Sequence, residues 1–132
     1  MMKSFTVSTP SRTAFVNITS DVVRLVHESG KKNGLVIIYV PHTTCAITIN
    51  EAADPDVVRD IQFQLDKIAP YEQGYHHREG NADAHIKTSL IGSSETVILD
   101  EGRLVLGTWQ GIFLCEFDGP RTRKVYVKVF AC

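Results

Sequence analysis

"TVILDEGRLVLGTWQGIFLCEFDGPRTRKVYVKVF", Thr96 to Phe130, decides the fold class. It contains four runs, TVILD, RLVLGTW, IFLCEF and KVYVKVF, rich in β-branched and aromatic residues and separated by glycine-containing turns at DEG and DGPRTR. Runs of this length and composition suit a pleated, half-buried surface, so the last third of the chain reads as strands. Working back, "CAITIN" (Cys45 to Asn50) alternates apolar and polar residues and reads as another strand. "LVIIYV" is too short for a buried helix and is read as an interior strand. "KSFTV" and "RTAFVNI" read as two short strands joined by a turn at Pro10.

Helical periodicity interrupts these strands. "DPDVVRDIQFQLDKIAP" carries the strongest signal: Asp54 suits the N-cap, Pro55 the first helical position, and Val58, Ile61, Leu65 and Ile68 form one stripe. In "TSDVVRLVHESG", Thr19 or Ser20 is the expected cap and Gly30 the expected close. A third helix is expected from about Asn81 through "ADAHIKTSL", with His85 and Ser89 on one stripe and Ile86 and Leu90 on the next. Strands and helices without regular βαβ alternation indicate an α+β class with a large antiparallel, sandwich-like sheet component and two to three helices.

The chain has 132 residues, 43% hydrophobic and 22% charged, with a formal net charge of −1. This is enough to bury one core, and no linker, repeat or low-complexity tract divides it, so a single domain over 1–132 is expected. The charge balance gives no general attraction for nucleic acid or an anionic membrane, and neither partner is expected. "GPRTRK" is the one basic cluster, with a solvated hairpin turn as its plainer reading. Cys45, Cys115 and Cys132 are odd in number and show no C-x-x-C spacing, which excludes a disulfide scaffold and a zinc ribbon. The longest apolar run is far too short to cross a bilayer, and the first residues lack a signal-peptide core. A cytoplasmic location is the expectation.

Chemistry gathers in three places. "YHHREGNADAHIKTSL" (Tyr75 to Leu90) holds three of the five histidines, together with Glu79, Asn81 and Asp83. His42 closes the interior strand, so His42, His77 and His85 are candidate ligands for a divalent metal, zinc foremost, with Glu79 or Asp83 as further ligand or general base. Surface or hydrogen-bonded histidines are the plainer alternative. "TINEAADP" offers Asn50 and Glu51 beyond what helix initiation needs, and the Pro55 helix has free amides for an anion. "GTWQGIFLCEFDGPRTR" places Gln110 between two glycines and supplies Arg121 and Arg123 for a phosphate or carboxylate. Trp109 reads as core or interface. Cys45, inside an apolar strand, reads as packing rather than nucleophile. No G-x-S-x-G, Walker A or dinucleotide fingerprint is present.

Taken together, H-T-T at 42–44, N-E at 50–51, E-G-N-A-D-A-H at 79–85, G-T-W-Q-G at 107–111 and E-F-D-G-P-R at 116–121 resemble the YjbQ-like family along nearly the whole chain. The resemblance implies a compact α+β sandwich-like fold assembled as a homotrimer, with a pocket near the subunit boundary. It also implies a secondary thiamine-phosphate synthase activity on a small phosphorylated metabolite. The matching positions are His42, Asn50, Glu51, His77, Glu79, Asn81, His85, Lys87, Ser89, Gln110 and Arg123. His85, Glu79, Glu51 and Lys87 are the expected catalytic groups, and Asn50, Asn81, Ser89, Gln110 and Arg123 the expected substrate-binding ones. A non-catalytic binding protein for a phosphorylated metabolite or metal, and a metal-dependent hydrolase, are the competing classes. They use similar residues.

Overall fold

The computed structural model describes residues 2–132. Eight strands and three helices follow in the order β1 (Met2–Ser8), β2 (Ala14–Asn17), α1 (Thr19–Glu28), β3 (Gly34–Tyr39), β4 (Cys45–Glu51), α2 (Pro55–Ile68), α3 (Ala82–Ile91), β5 (Ser94–Asp100), β6 (Arg103–Leu104), β7 (Gln110–Glu116) and β8 (Thr122–Ala131). They build two sheets, β1-β8-β3-β5-β6 and β2-β7-β4. Every pairing is antiparallel. The α+β class with three helices holds, without any parallel pair among the described strands. No helix is long and apolar enough to cross a membrane.

Two joints differ from the hairpins expected. The Pro10 segment and the DGPRTR segment each carry the chain from one sheet to the other, because β1 and β8 lie in the five-stranded sheet and β2 and β7 in the three-stranded one. Sequence cues mark where a chain turns, not which sheet receives the next strand. The DEG turn does close a hairpin between β5 and β6, with Glu101 and Gly102 both at positive φ. Beyond it, "RLVLGTW" keeps only Arg103 and Leu104 as strand. A turn at Gly107, whose amide donates to Gln110 Oε1 at 2.7 Å, takes over and leaves Trp109 64% exposed rather than in the core.

The inner faces of the two sheets and α1 enclose the larger core, which includes Val22, Val26, Val36, Ile38, Ile47, Leu114 and Val125. A second core forms between the three-stranded sheet and α2 with α3, around Leu65, Ala84, Phe113, Cys115 and Phe117. Asp54 caps α2 as expected, accepting from the Asp56 amide at 2.9 Å. Of its stripe, Leu65 is buried and Val58 and Ile61 are half-buried, but Ile68 stands outside. α1 is not capped by Thr19 or Ser20. Asn17 Oδ1 accepts from the Thr19 amide (3.0 Å) and hydroxyl (2.7 Å), and Thr19 Oγ1 accepts from the Ile112 amide at 2.9 Å. Asn17, from the preceding strand, thus holds the first residue of the helix, and the hydroxyl of that residue, Thr19, pins the helix to β7.

One corner holds the sheets together. Glu116, fully buried at the end of β7, accepts from Thr9 Oγ1 at 2.7 Å and from the Phe117 and Asp118 amides at 3.1 Å each. Arg123 of β8 donates Nε to Glu116 Oε1 at 2.8 Å and Nη2 to Glu116 Oε2. The same Nη2 reaches Thr44 Oγ1 at 2.8 Å, just before β4. Breaking a buried pair on one side leaves a charge without compensation. Glu116→Gln is therefore expected to lower unfolding free energy by about 3–5 kcal/mol, measured by denaturant titration.

Candidate functional site

The ends of β4, β7 and β8 nearest this corner, together with the start of α3, surround a cleft of about 350 Å³. Its lining includes His42, Glu79, Asn81, His85, Arg121 and Arg123, with Thr43, Thr44 and Asp118 on the same wall. Five positions expected from sequence, His42, Glu79, Asn81, His85 and Arg123, therefore share one space although they are spread over more than eighty residues of chain. The backbone reason is local. Pro41 ends the interior strand, so His42 emerges at the sheet rim, and the α3 N-terminus brings Asn81 and His85 against it.

Arg123 is the fixed point. It is 5% exposed, its Nε and Nη2 groups are engaged by Glu116 and Thr44, and Nη1 makes no hydrogen bond among the described residues. A guanidinium held on two sides with one N–H₂ group left over presents a donor without having to be ordered by its ligand. Arg121 is held by the Asp118 carbonyl through Nε (2.7 Å) and by Asp118 Oδ2 through Nη2 (3.0 Å).

Asp118 also accepts from Asn81 Nδ2 at 2.9 Å. Burial pushes the Asp118 carboxyl up, but its bonds from Asn81 and Arg121 and the charges of Arg121 and Arg12 outweigh that and hold it below its ordinary value. The ionised carboxylate fixes the Asn81 amide with its nitrogen toward Asp118. Asn81 Oδ1 is then a buried acceptor with no partner among the described residues.

His42 accepts through Nε2 from the Lys124 amide at 2.9 Å, so its proton sits on Nδ1. Burial, then the Arg123 charge, hold its pKa below the ordinary histidine value. On the other side of His85, His77 meets it edge to face with ring centroids 5.3 Å apart. These two imidazoles are neighbours, but His42 has already given its Nε2 lone pair to β8. Among the described residues no three His, Cys, Asp or Glu side chains stand close enough to hold a metal ion. The three-histidine set does not fit a metal within one chain.

Other expected residues lie elsewhere. β4 and β7 run antiparallel, pairing Cys45 with Glu116 at the cleft end and Glu51 with Gln110 at the other. At the usual rise per residue, Asn50, Glu51 and Gln110 therefore stand roughly 20 Å from the cleft. Lys87 is not a cleft residue. It is 2% exposed, inside the fold, with Nζ 2.7 Å from Asp66 and 3.3 Å from the equally buried Asp83. Arg12 reaches Asp83 from the other side at 2.9 Å and lies over the Tyr71 ring, tying down the segment that carries His77 and Glu79. Ser89 is exposed and donates its hydroxyl to the His85 carbonyl of its own helix at 3.0 Å. Cys45 is buried and its thiol is pushed up to about 12 by that burial, consistent with packing. Asp118 was not foreseen, although it lies within the E-F-D-G-P-R run.

The YjbQ-like UPF0047 family profile matches residues 3–132. The chain is 48% identical over 130 residues to the UPF0047 protein YugU of Bacillus subtilis, covering 98% of each chain. It is 50% identical over 129 residues to a UPF0047 protein of Methanocaldococcus jannaschii, covering 98% of this chain and 94% of that one. The crystal structure of an uncharacterized conserved protein of the YjbQ/UPF0047 family from Clostridium acetobutylicum superposes with a TM-score of 0.95 at 52% identity, over 97% of this chain and 99% of that one. The chain belongs to the YjbQ-like UPF0047 family.

Two outcomes test the geometry. With its folded pKa depressed, His42 contributes stability that is complete above the unfolded value of about 6.5 and is lost as pH falls from there through the folded value. His42→Gln is expected to flatten the fall in melting temperature between pH 7 and pH 5, measured by calorimetry, leaving the separate loss from Asp118 below about pH 4. Lys87→Met strands Asp83 with Arg12 alone. It is expected to lower stability by about 3–5 kcal/mol in denaturant titration, while phosphate affinity of the folded protein stays at the wild-type value.

Proposed function

We propose that this member of the YjbQ-like family is a transferase of the thiamine-phosphate synthase type, acting on small phosphorylated metabolites in the His42–His85 cleft of a homotrimer. The observation that carries the reading is Arg123, held by Glu116 and Thr44 with Nη1 unengaged on the cleft wall, beside Arg121 and two histidines. Such a wall favours an anion with several oxygens, as in a phosphate or pyrophosphate.

The reaction forms one bond and breaks one. The thiazole nitrogen lone pair attacks the pyrimidine methylene carbon, the C–O bond breaks, and its electron pair departs on the pyrophosphate oxygen. No proton need move, and the nitrogen becomes quaternary. The protein's contribution is electrostatic: donors for the leaving pyrophosphate, and a carboxylate for the positive charge on the pyrimidine and thiazole. Arg121 and Arg123 fill the first role, with the Nδ1–H of His42 as a further donor. Glu79 fills the second, and His85 sits between the two ends. These steps are written for the chain's own side chains, which within one protomer bring no three metal ligands together among the described residues. The hydrolase alternative needs a metal-bound water, for which the described residues of one protomer alone supply no three-ligand group.

Asn50, Glu51 and Gln110 enter this scheme through the trimer. In the proposed assembly the Glu51 end of one protomer stands beside the His85 cleft of the next, and the distance within a single chain ceases to matter. A closed ring brings opposite ends of identical subunits together at each boundary.

The test is complementation. Thiamine phosphate formation from the two precursors is expected to collapse in His85→Ala and in Glu51→Gln, each still folded and trimeric by light scattering. Denaturing and refolding the two inactive variants together is expected to restore about a quarter of the sites, as random assembly of two chain types predicts. Undiminished turnover in both single variants would reject the site. No recovery on mixing would reject the shared boundary, and retained phosphate binding without turnover would favour the binding protein.

A further inference from the structure

A second hollow, of about 410 Å³, lies on the far side of His85 from the anion cleft, and His85 lines both. The two differ in chemistry. The cleft is crowded with Arg121, Arg123, Asp118 and Glu79, whereas the hollow is lined by Tyr75, His76, His77, Ala82, His85 and Ile86, with no carboxylate, lysine or arginine. Four of those six residues carry flat π-systems, which favour another ring over an aliphatic chain.

The walls are held before any ligand arrives. The Tyr75 hydroxyl donates to the Pro70 carbonyl at 2.6 Å, and Tyr71, four residues earlier in the same segment, is covered by Arg12. Ala82, His85 and Ile86 all project from α3. Ile86 is 38% exposed, a branched apolar side chain on this rim with no core role assigned to it.

We propose that this hollow receives the ring of a phosphomonoester whose anion occupies the adjoining cleft, so that Tyr75 and Ile86 set specificity for aromatic over aliphatic phosphates. This rests on the reading of the cleft as an anion site and extends it. The boundary at His85 fixes the order of the ligand: anion toward Arg123, short linker past the imidazole, ring against Tyr75 and Ile86. Neither Tyr75 nor Ile86 is placed among the reacting groups. Their effect is on affinity and choice of substrate.

Calorimetric titration with three probes separates the two ideas. Inorganic phosphate measures the cleft alone, ethyl phosphate adds a short aliphatic group, and phenyl phosphate adds a ring. Phenyl phosphate is expected to bind about tenfold more tightly than ethyl phosphate, as burial of one ring face supports. In Ile86→Ser and Tyr75→Ser that advantage is expected to shrink to about twofold or less, with inorganic phosphate unchanged. Circular dichroism confirms the fold of each variant, and the Ile86 change is at a partly exposed position in case the Tyr75 change disturbs its segment. Equal affinity for the two esters in the wild type, or a full phenyl advantage retained in Ile86→Ser, overturns the ring site while the anion site stands. Failure of all three probes to bind overturns the anion reading, and the ring site falls with it.

Discussion

Glu116 and Arg123 are a charged pair, the carboxylate fully buried and the guanidinium nearly so, at the corner where the β1–β2, β3–β4 and β7–β8 connections pass between the sheets. A buried carboxylate is tolerable only when its lone pairs are filled, and here two amides, a threonine hydroxyl and a guanidinium fill them. The pair joins the end of β7 to β8, and through Thr9 and Thr44 it reaches β1 and the approach to β4. The cleft is a by-product of this arrangement. An arginine immobilised for structural reasons ends with part of its fork turned to solvent space, ready for an anion.

Much of the fold was legible because its signals are local. Asp54-Pro55 and the stripe from Val58 to Leu65 specify α2, and the runs from Lys3 to Phe130 specify all of the longer strands. What stayed hidden was nonlocal. Nothing in DGPRTR distinguishes a hairpin from a passage between sheets, since both demand the same turn residues. The start of α1 is another case: Thr19 and Ser20 are good caps by type, but Ile18 takes the cap position without a side-chain bond, because Thr19 is drawn to Asn17 and to β7. For Trp109, read as core or interface, the structure removes the first of these, since the Gly107 turn carries the ring outward.

The site shows the same division. The family resemblance grouped His42, Asn81, His85 and Arg123 although they are far apart in the chain, and in the structure all four line one cleft. Lys87 belonged to the same motif and proved to be an interior ion-pair partner, since a helix residue four positions from Asp83 is within reach of it whatever the pattern was selected for. Asn50, Glu51 and Gln110 are a different case. They are neighbours of each other across β4 and β7, and sequence carries no measure of how far along those strands the cleft lies.

The position of β8 has a consequence for how the protein is made. It lies between β1 and β3, so the strand that joins β1 to the rest of the larger sheet comes after both of its neighbours in the chain. During translation β3 can pair with β5 on one side, but its other edge and the whole of β1 must wait until residues 122–131 leave the ribosome. Arg123 belongs to that late strand. The anchor of the cleft is therefore set only after every other strand of both sheets has been made, and a shorter nascent chain has no partly assembled version of the site with which to capture ligand.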